Sequence, residues 1–549
     1  MLIIPGVARR ARNPGLKDRS PLGFMQCQFF KPNNMKPKSL TSLLRIVAPA
    51  LLATALCLPA TAQTVHPKAA PVQLKRIGKV TPRASVEGVS PRIGIGFEKL
   101  DRNVFDPEKA YDKVGALGVK WVRIQSGWQR TEKVRGQYDF AWLDSVVDNL
   151  IKRGMTPWIN LCYGNELYTP EAKKYFGAVG VPPVKTGEER RAWAAYVTAL
   201  VKHFKGRVQL YEIWNEPNAL NCWKTGVNPA EYGEFVIATS KAIRAVDPSA
   251  QIAGGVTSGS LKHLGYMAAA LETGMAAHLD IFSYHYYAIT ELGYKNRYDA
   301  MRALVRAHNP DIKMVQGESG TQSRPDGRGA LRYRAWTPQN QAKLLLRHLV
   351  TDISFDVDFT SYFTTVDMIE ALDGKVGEKA SYLDYGYFGV LGADFDEDGR
   401  STGEYTPKPS YYALQNLCSV FTDDVTTGNI ALQIVPGEGA YGKEVGFDDH
   451  PLQYLALEKS NGARGFLYWN ATDLLTTSFE SATTMIFTGL PKPVRLVDLI
   501  TGDVYEVPDE MMVQSRYKGN SWTLKNIRIT DYPLLLTFGD FVKFEPSKK

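Results

Sequence analysis

The chain has 549 residues, 44% hydrophobic and 22% charged, with 47 glycines and 31 prolines. That is the composition of a globular protein, and it excludes a disordered chain, a collagen-like repeat and a polytopic membrane protein. The formal charge of +8 is no footprint of a nucleic-acid partner: residues 1–62 hold nine Lys and Arg against one Asp, and what remains is balanced at 56 of each sign.

Residues 1–62 read as an upstream extension followed by a secretory signal peptide. Lys36, Lys38 and Arg45 form a positive stretch, residues 46–59 an apolar one, and Ala60-Thr61-Ala62 a small-x-small cleavage pattern. Met35 is the expected start. Cys57 follows Leu56 where a lipid-attachment signal wants a small residue, so no lipid anchor is expected. The mature protein is expected to be secreted or periplasmic, with no membrane partner after cleavage. Three cysteines then remain, Cys162, Cys222 and Cys418, too few for a disulfide framework. They read as buried thiols, with a Cys162–Cys222 bridge as the alternative.

Residues 63–90 lack periodicity and read as a linker, or as an N-terminal arm packed along a later domain. From residue 91 short apolar runs alternate with amphipathic segments. The runs are 92–97, 119–124, 156–163, 208–214, 251–256, 281–287, 313–318 and 358–364. Helices fit 107–117, 141–153, 188–205, 230–246, 261–273, 298–308 and 338–352. Eight strand–helix units predict an α/β fold, a (β/α)8 TIM barrel over 91–420. A doubly wound sheet would carry a glycine-rich phosphate turn after its first strand; Gly94-Ile95-Gly96-Phe97-Glu98 is not one. Beyond 420 the helical rhythm stops and short strand-like runs predict a C-terminal β-sandwich accessory domain over 421–549.

Working residues of such a barrel project from the C-terminal ends of its strands. The fourth run ends in YEIWNEPN (211–218), which puts Asn215 and Glu216 at the rim. The seventh ends in QGESG (316–320), which puts Glu318 there. Two carboxylates on one mouth suit glycoside hydrolysis: one acid protonates the leaving oxygen, and the other attacks, or activates water, at an oxocarbenium-like centre.

These motifs resemble the clan A retaining glycoside hydrolases. The string YEIWNEPN is most similar to family 39, the β-xylosidase and iduronidase family, with family 5 a near second. The resemblance covers about 91–420. It implies that Glu216 is the general acid/base, Glu318 the nucleophile, and Asn215 a ligand of the sugar 2-hydroxyl. It further implies substrate-binding roles for Arg123, which would orient the nucleophile, and for His285 and Tyr287, a histidine-x-tyrosine pair with Tyr287 able to donate to Glu318. Arg123 has a rival reading, an internal ion pair with Glu212, since Glu212, Trp214 and Glu216 share a face by period two. Where the clan often has a tryptophan on the eighth strand, this chain has Thr360-Ser361-Tyr362-Phe363, which leaves Tyr362 as a candidate platform.

The function expected is cleavage of β-glycosidic bonds in an oligo- or polysaccharide by double displacement. A non-catalytic carbohydrate-binding barrel and a transglycosylase are the alternatives. Glu98, Glu166 and Trp128 are further rim candidates, and Trp223, Tyr286 and Trp336 further platforms, each of which also reads as surface or ordinary packing. Arg324, Arg328, Arg332 and Arg334 follow Glu318 closely. They read as a solvated loop, with a uronate-containing polysaccharide as the alternative partner. The segment Asp394-Phe-Asp396-Glu-Asp398-Gly399 opens like a calcium loop, but its twelfth position is Tyr405, so it reads as an acidic turn, with calcium as the alternative. No H-E-x-x-H, paired C-x-x-C or G-x-S-x-G motif occurs, and neither a metal nor a cofactor is expected. The oligomeric state is left open.

Overall fold

The computed structural model describes residues 63–65, 70–259, 263–355, 357–435, 452–514 and 521–548. The signal peptide read at 1–62 lies outside them.

Eight parallel strands close into a barrel: β1 (Ser90–Gly96), β2 (Val119–Gln125), β3 (Thr156–Leu161), β4 (Leu210–Ile213), β5 (Gln251–Thr257), β6 (Ile281–His285), β7 (Lys313–Ser319) and β8 (Phe359–Tyr362), with β8 pairing back onto β1. Each is followed by a helix: α1 (Tyr111–Gly115), α2 (Ala141–Lys152), α3 (Gly187–Phe204), α4 (Pro229–Val246), α5 (Leu264–Leu271), α6 (Tyr294–His308), α7 (Pro338–Ser354) and α8 (Pro409–Val420). The helix α3 shows why the local sequence suffices. Thr186 Oγ1 accepts the Glu189 amide at 3.1 Å while the Glu189 carboxylate accepts the Thr186 amide at 3.2 Å, a reciprocal cap that satisfies two otherwise orphaned donors. Trp193, Tyr196, Val197, Leu200, Val201 and Phe204 form the buried face.

Inside the barrel, period two sorts the side chains by height. Trp121, Trp158, Leu210, Ile281, Val315 and Phe359 fill the end where the strands begin. The next inward positions are polar: Arg123, Asn160, Glu212 and Ser283. A layer of charge therefore sits on an apolar floor, and its groups must satisfy one another.

Between β8 and α8 a hairpin of Leu391–Phe395 and Ser401–Pro407 intervenes; the runs that revealed the barrel gave no signal for it or for α8. Its turn holds the acidic segment. Asp396 Oδ1 accepts the amides of Asp398 and Arg400 at 3.0 and 2.9 Å, and Asp398 pairs with Lys379 at 2.6 Å.

The C-terminal region forms two sheets whose strands pair antiparallel, except that 63–65 pairs parallel with 477–479. One has the strand order 425–427, 452–459, 464–470, 534–538, 494–498, 503–507, 75–80 and 544–546. The other contains 477–488, 521–530 and 512–514, with 432–435 and 63–65 on its long strand. Residues 75–80, within the stretch expected to be a linker or arm, are thus a strand of this domain, held between 503–507 and 544–546. The domain is built from both sides of the barrel in the sequence.

A buried ion pair joins barrel and sheets. Arg347 on α7 donates to Glu291 at 2.6–3.0 Å and to the Thr472 carbonyl at 2.8 Å, and Trp469 Nε1 donates to the same Glu291 at 2.7 Å. Arg347→Ala is expected to lower the unfolding free energy by about 3 kcal/mol, because it strands a buried carboxylate. Urea titration at neutral pH measures this; a change under about 1 kcal/mol would contradict it.

Candidate active site

The motif that ends β4 adopts an uncommon backbone. Trp214 (φ 69°) and Glu216 (φ 47°) both lie in the left-handed region, which costs a non-glycine residue about 1–3 kcal/mol. Packing holds them there. The Trp214 ring is fully buried against Tyr163, Trp193, Trp223 and Phe235, and its Nε1 donates to the Cys222 carbonyl at 2.8 Å. The Glu216 amide donates to the Val256 carbonyl at 2.9 Å. The flanking tryptophan of the motif is therefore the anchor that aims Glu216.

Glu318 projects from the end of β7 toward Glu216. His285, wholly buried at the end of β6, stands between them: its Nδ1 lies 3.0 Å from Glu216 Oε1 and 3.6 Å from Glu318 Oε2. The facing atoms of the three side chains all fall within 4.8 Å of one another. Each carboxylate keeps 13% of its side chain exposed, so both are reachable from solvent.

Tyr287 donates its hydroxyl to Glu318 Oε1 at 2.6 Å. Arg123 combines its two alternative readings. Its Nε and Nη2 contact Glu212 Oε2 at 2.7 and 2.6 Å, its Nη1 donates to Glu318 Oε2 at 2.8 Å, and its Nη2 donates to Asn215 Oδ1 at 2.9 Å. Glu212 also accepts from Asn160 Nδ2 at 2.9 Å and from Ser283 Oγ at 2.7 Å. Gly317 leaves room for this: a Cβ there would collide with Ser283 Oγ. The six residues expected at the site, Arg123, Asn215, Glu216, His285, Tyr287 and Glu318, thus form one connected cluster.

The electrostatics set Glu318 apart from its neighbours. Burial opposes ionisation of Glu318, but His285, Arg123, the Tyr287 hydroxyl and Lys99 outweigh it and hold its carboxyl below the ordinary range. Burial alone would lower the His285 pKa; the Glu318 and Glu216 carboxylates outweigh it and raise it. Glu98, a rim candidate that is buried at 2% exposure, is pushed up to about 7 by burial, against the pull of Arg123 at 3.4 Å. Glu216, His285 and Glu318 are also the group, among the described residues, whose atoms could hold a metal ion. The Arg123 guanidinium against Glu318 places a fixed positive charge there that disfavours a cation.

Other candidates lie elsewhere. Trp128 is buried among Tyr168, Trp193 and Tyr196, Trp223 is buried behind Trp214, Tyr286 stacks on Tyr294, and Trp336 packs with Leu344 and Leu474; none offers an open face. Tyr362 is 1% exposed, with its hydroxyl toward the Thr321 carbonyl, so it is core and not a platform. Glu166 is exposed. Cys162 and Cys222 are free buried thiols, which replaces the bridge. Cys162 lies 2.8 Å from Asn160 Oδ1, and Cys222 Sγ lies 3.9 Å from Glu216 Oε2.

Two residues near the site carried no sequence signal. Lys99 (φ 68°), just after β1, donates from Nζ to the Ile369 carbonyl at 3.0 Å, lies 3.4 Å from Glu370 and 5.1 Å over the Phe363 ring. Burial pushes Glu370 up to about 7, against Lys99 and with Asp384 and Glu318 adding to the rise. Both stand in irregular loops, where no periodicity marks a face.

Residues 108–318 match the model of the glycosyl hydrolases family 39. The chain is 24% identical over 366 residues to a β-xylosidase of Geobacillus stearothermophilus, covering 59% of this chain and 65% of that protein. It is 24% identical over 328 residues to a β-xylosidase of Caldicellulosiruptor saccharolyticus, covering 55% and 62%. The chain thus spans somewhat less than two thirds of the length of these relatives. A solved family 39 glycoside hydrolase from the gut symbiont Bacteroides cellulosilyticus has a similar fold, with a TM-score of 0.56 at 17% identity over 83% of this chain and 82% of that one. Residues 108–318, which carry β2 through β7 as far as Glu318, are thus similar to the glycosyl hydrolases of family 39.

Proposed function

We propose that the protein is an exported retaining β-glycosidase that cleaves an oligo- or polysaccharide by double displacement. The observation that carries this is the pair Glu216–Glu318, with facing oxygens within 4.8 Å across His285. Retention calls for carboxyls about 5–5.5 Å apart, and inversion for about 6.5–9.5 Å to admit a water between them. Glu318, kept ionised by Arg123, Lys99 and the Tyr287 hydroxyl, attacks the anomeric carbon. Glu216 gives its proton to the leaving oxygen, and a covalent glycosyl-enzyme forms. Glu216, now a base, takes a proton from water, which attacks the same carbon and frees Glu318. Asn215, fixed by Arg123 through its Oδ1, directs one Nδ2 hydrogen at Cys222 Sγ at 3.8 Å and keeps the other to donate to the sugar 2-hydroxyl. The β-xylosidases among the relatives make a pentopyranoside the first glycone to try. The signal sequence read at 35–62 supports export.

Incubation with a panel of slow 2-fluoro glycosides tests the reading, with intact mass as the readout. The expected result is a single adduct that maps to Glu318. No adduct, together with no hydrolysis of any glycoside in the panel, overturns it.

Tyr287→Phe gives a second check through pH. Glu318 must be ionised to attack, so the acid limb of kcat/KM reports the pH at which it takes up a proton. Tyr287 donates to that carboxylate and lowers its pKa. Losing a hydrogen bond to a charged group costs about 1.5 kcal/mol, or about one pKa unit. The acid limb is therefore expected to move upward by about one pH unit; an unmoved limb would place Tyr287 outside the mechanism.

A further inference from the structure

The loop between β7 and α7, residues 320–337, leaves the barrel just after Glu318 and Ser319 and holds four arginines against one acid, Asp326. Arg324 is neutralised by Asp326 at 2.7–3.0 Å and lies over the Tyr387 ring at 4.2 Å. Arg328, Arg332 and Arg334 are exposed and have no ion pair among the described residues. Between them Tyr333 stands 73% exposed, with the Arg328 and Arg332 guanidiniums 5.7 and 5.4 Å from its ring centre and Arg328 Nη1 donating to its hydroxyl at 3.0 Å.

This outward tyrosine is imposed by its loop. Leu331 (φ 57°) and Tyr333 (φ 62°) both occupy the left-handed region, at about 1–3 kcal/mol each. The loop is pinned from below. Trp336 Nε1 donates to the Leu331 carbonyl at 2.8 Å, Gln322 Nε2 to the carbonyls of Arg328 and Ala330, and the Arg328 amide to the Tyr385 carbonyl at 2.8 Å. The result is a fixed turn with an aromatic ring in water and guanidiniums on either side.

The patch adjoins the catalytic pocket. A Cβ at Gly329 would lie 2.9–3.1 Å from the Glu370 side chain; Glu370 pairs at 3.4 Å with Lys99, which lies over the Phe363 ring, and Phe363 packs through Phe388 onto Tyr287. Aromatic faces stack on sugar C–H surfaces, and guanidinium forks grip carboxylate or sulfate oxygens in pairs. We propose that Tyr333, Arg328 and Arg332 form an outer subsite that binds an acidic sugar unit of a polysaccharide, next to the unit being cleaved. The inference rests on the glycosidase reading for its orientation, while the binding it asserts is measured apart from cleavage.

The test is affinity electrophoresis of the full-length protein through gels that contain polygalacturonate, dextran sulfate or neutral dextran. The expected result is at least ~10-fold tighter retention, about 1.4 kcal/mol, on one or both anionic polymers than on dextran, weakened by added salt. Polygalacturonate alone would assign a carboxylate, and dextran sulfate alone a sulfate. Arg328→Gln with Arg332→Gln should abolish the difference. Tyr333→Ala should reduce retention several-fold, and Tyr333→Asn, whose residue accepts the left-handed backbone, guards against loss of the loop fold. Hydrolysis of small neutral aryl glycosides should be unchanged in all of these. Equal retention on charged and neutral polymers, unchanged retention in the arginine double variant, or retention by duplex DNA that matches the anionic polysaccharides and ignores Tyr333, would each overturn the proposal. Anionic retention without cleavage of any glycoside would sink the glycosidase reading and leave the subsite standing.

Discussion

Glu318→Ala is expected to lower kcat/KM by about 10⁴-fold on any glycoside the protein cleaves, the scale seen when one member of a catalytic unit is removed. In the proposed mechanism Glu318 supplies the nucleophile, and neither buried carboxylate nearby is suited to take its place. Glu98 is buried at 2% exposure with its pKa pushed up to about 7, and Glu370 is drawn toward Lys99 and likewise raised. The variant leaves a space beside the anomeric carbon that a small anion fits. Azide is therefore expected to restore turnover and to give a glycosyl azide of inverted configuration, because attack comes from the face that Glu318 occupied and no second displacement follows. Proton NMR of the product reads the configuration. Wild-type rates in Glu318→Ala, or a rescued product of retained configuration, would remove Glu318 from the nucleophile's role.

Arg123→Met carries the second large effect, and it strikes stability and catalysis together. One guanidinium contacts Glu212, Glu318 and Asn215 at 2.6–2.9 Å and Glu98 at 3.4 Å, with no exposure of its own. Breaking a buried ion pair by removing one partner costs about 3–5 kcal/mol, because the remaining charge stays buried. Here three carboxylates lose their common partner, so the upper part of that range is expected. The deficit has a definite pH dependence. Burial already raises Glu98 to about 7, and loss of Arg123 raises it further. The unfolded chain releases that proton near the ordinary carboxylate range, so this added burden is absent at pH 5, where Glu98 is protonated in both folded proteins, and builds up as pH rises above 7 toward the variant's higher pKa. Urea unfolding at pH 5 and pH 8 should show the larger loss at pH 8. Activity should fall as well, since Glu318 loses one of the charges that keep it ionised. Equal unfolding free energies for variant and wild type at pH 8 would refute this account of the network.

The same arginine marks the boundary between local and long-range information. The sequence offers Arg123 two partners, Glu318 or Glu212, and no spacing rule selects between them. The fold makes both contacts at once because the fork has five N–H groups and three strand ends converge on it. The hydroxyl of Tyr287 and the imidazole of His285 are legible as types on one strand. That His285 stands between two carboxylates follows only from barrel closure, which pairs His285 with Glu318 across β6 and β7.

The sequence by itself determined the barrel and the positions of its two rim glutamates. Strand and helix periods, caps and the string YEIWNEPN are set within a few residues, and eight repeats of the pattern leave few topologies. Only the tertiary structure decided which aromatics face solvent, which acids are neutralised, that Cys162 and Cys222 stay unbridged, and that residues 75–80 close a sheet whose neighbours lie more than 400 positions away. Those outcomes depend on contacts between segments distant in the chain and on how far each group is removed from water, and neither is written in local periodicity.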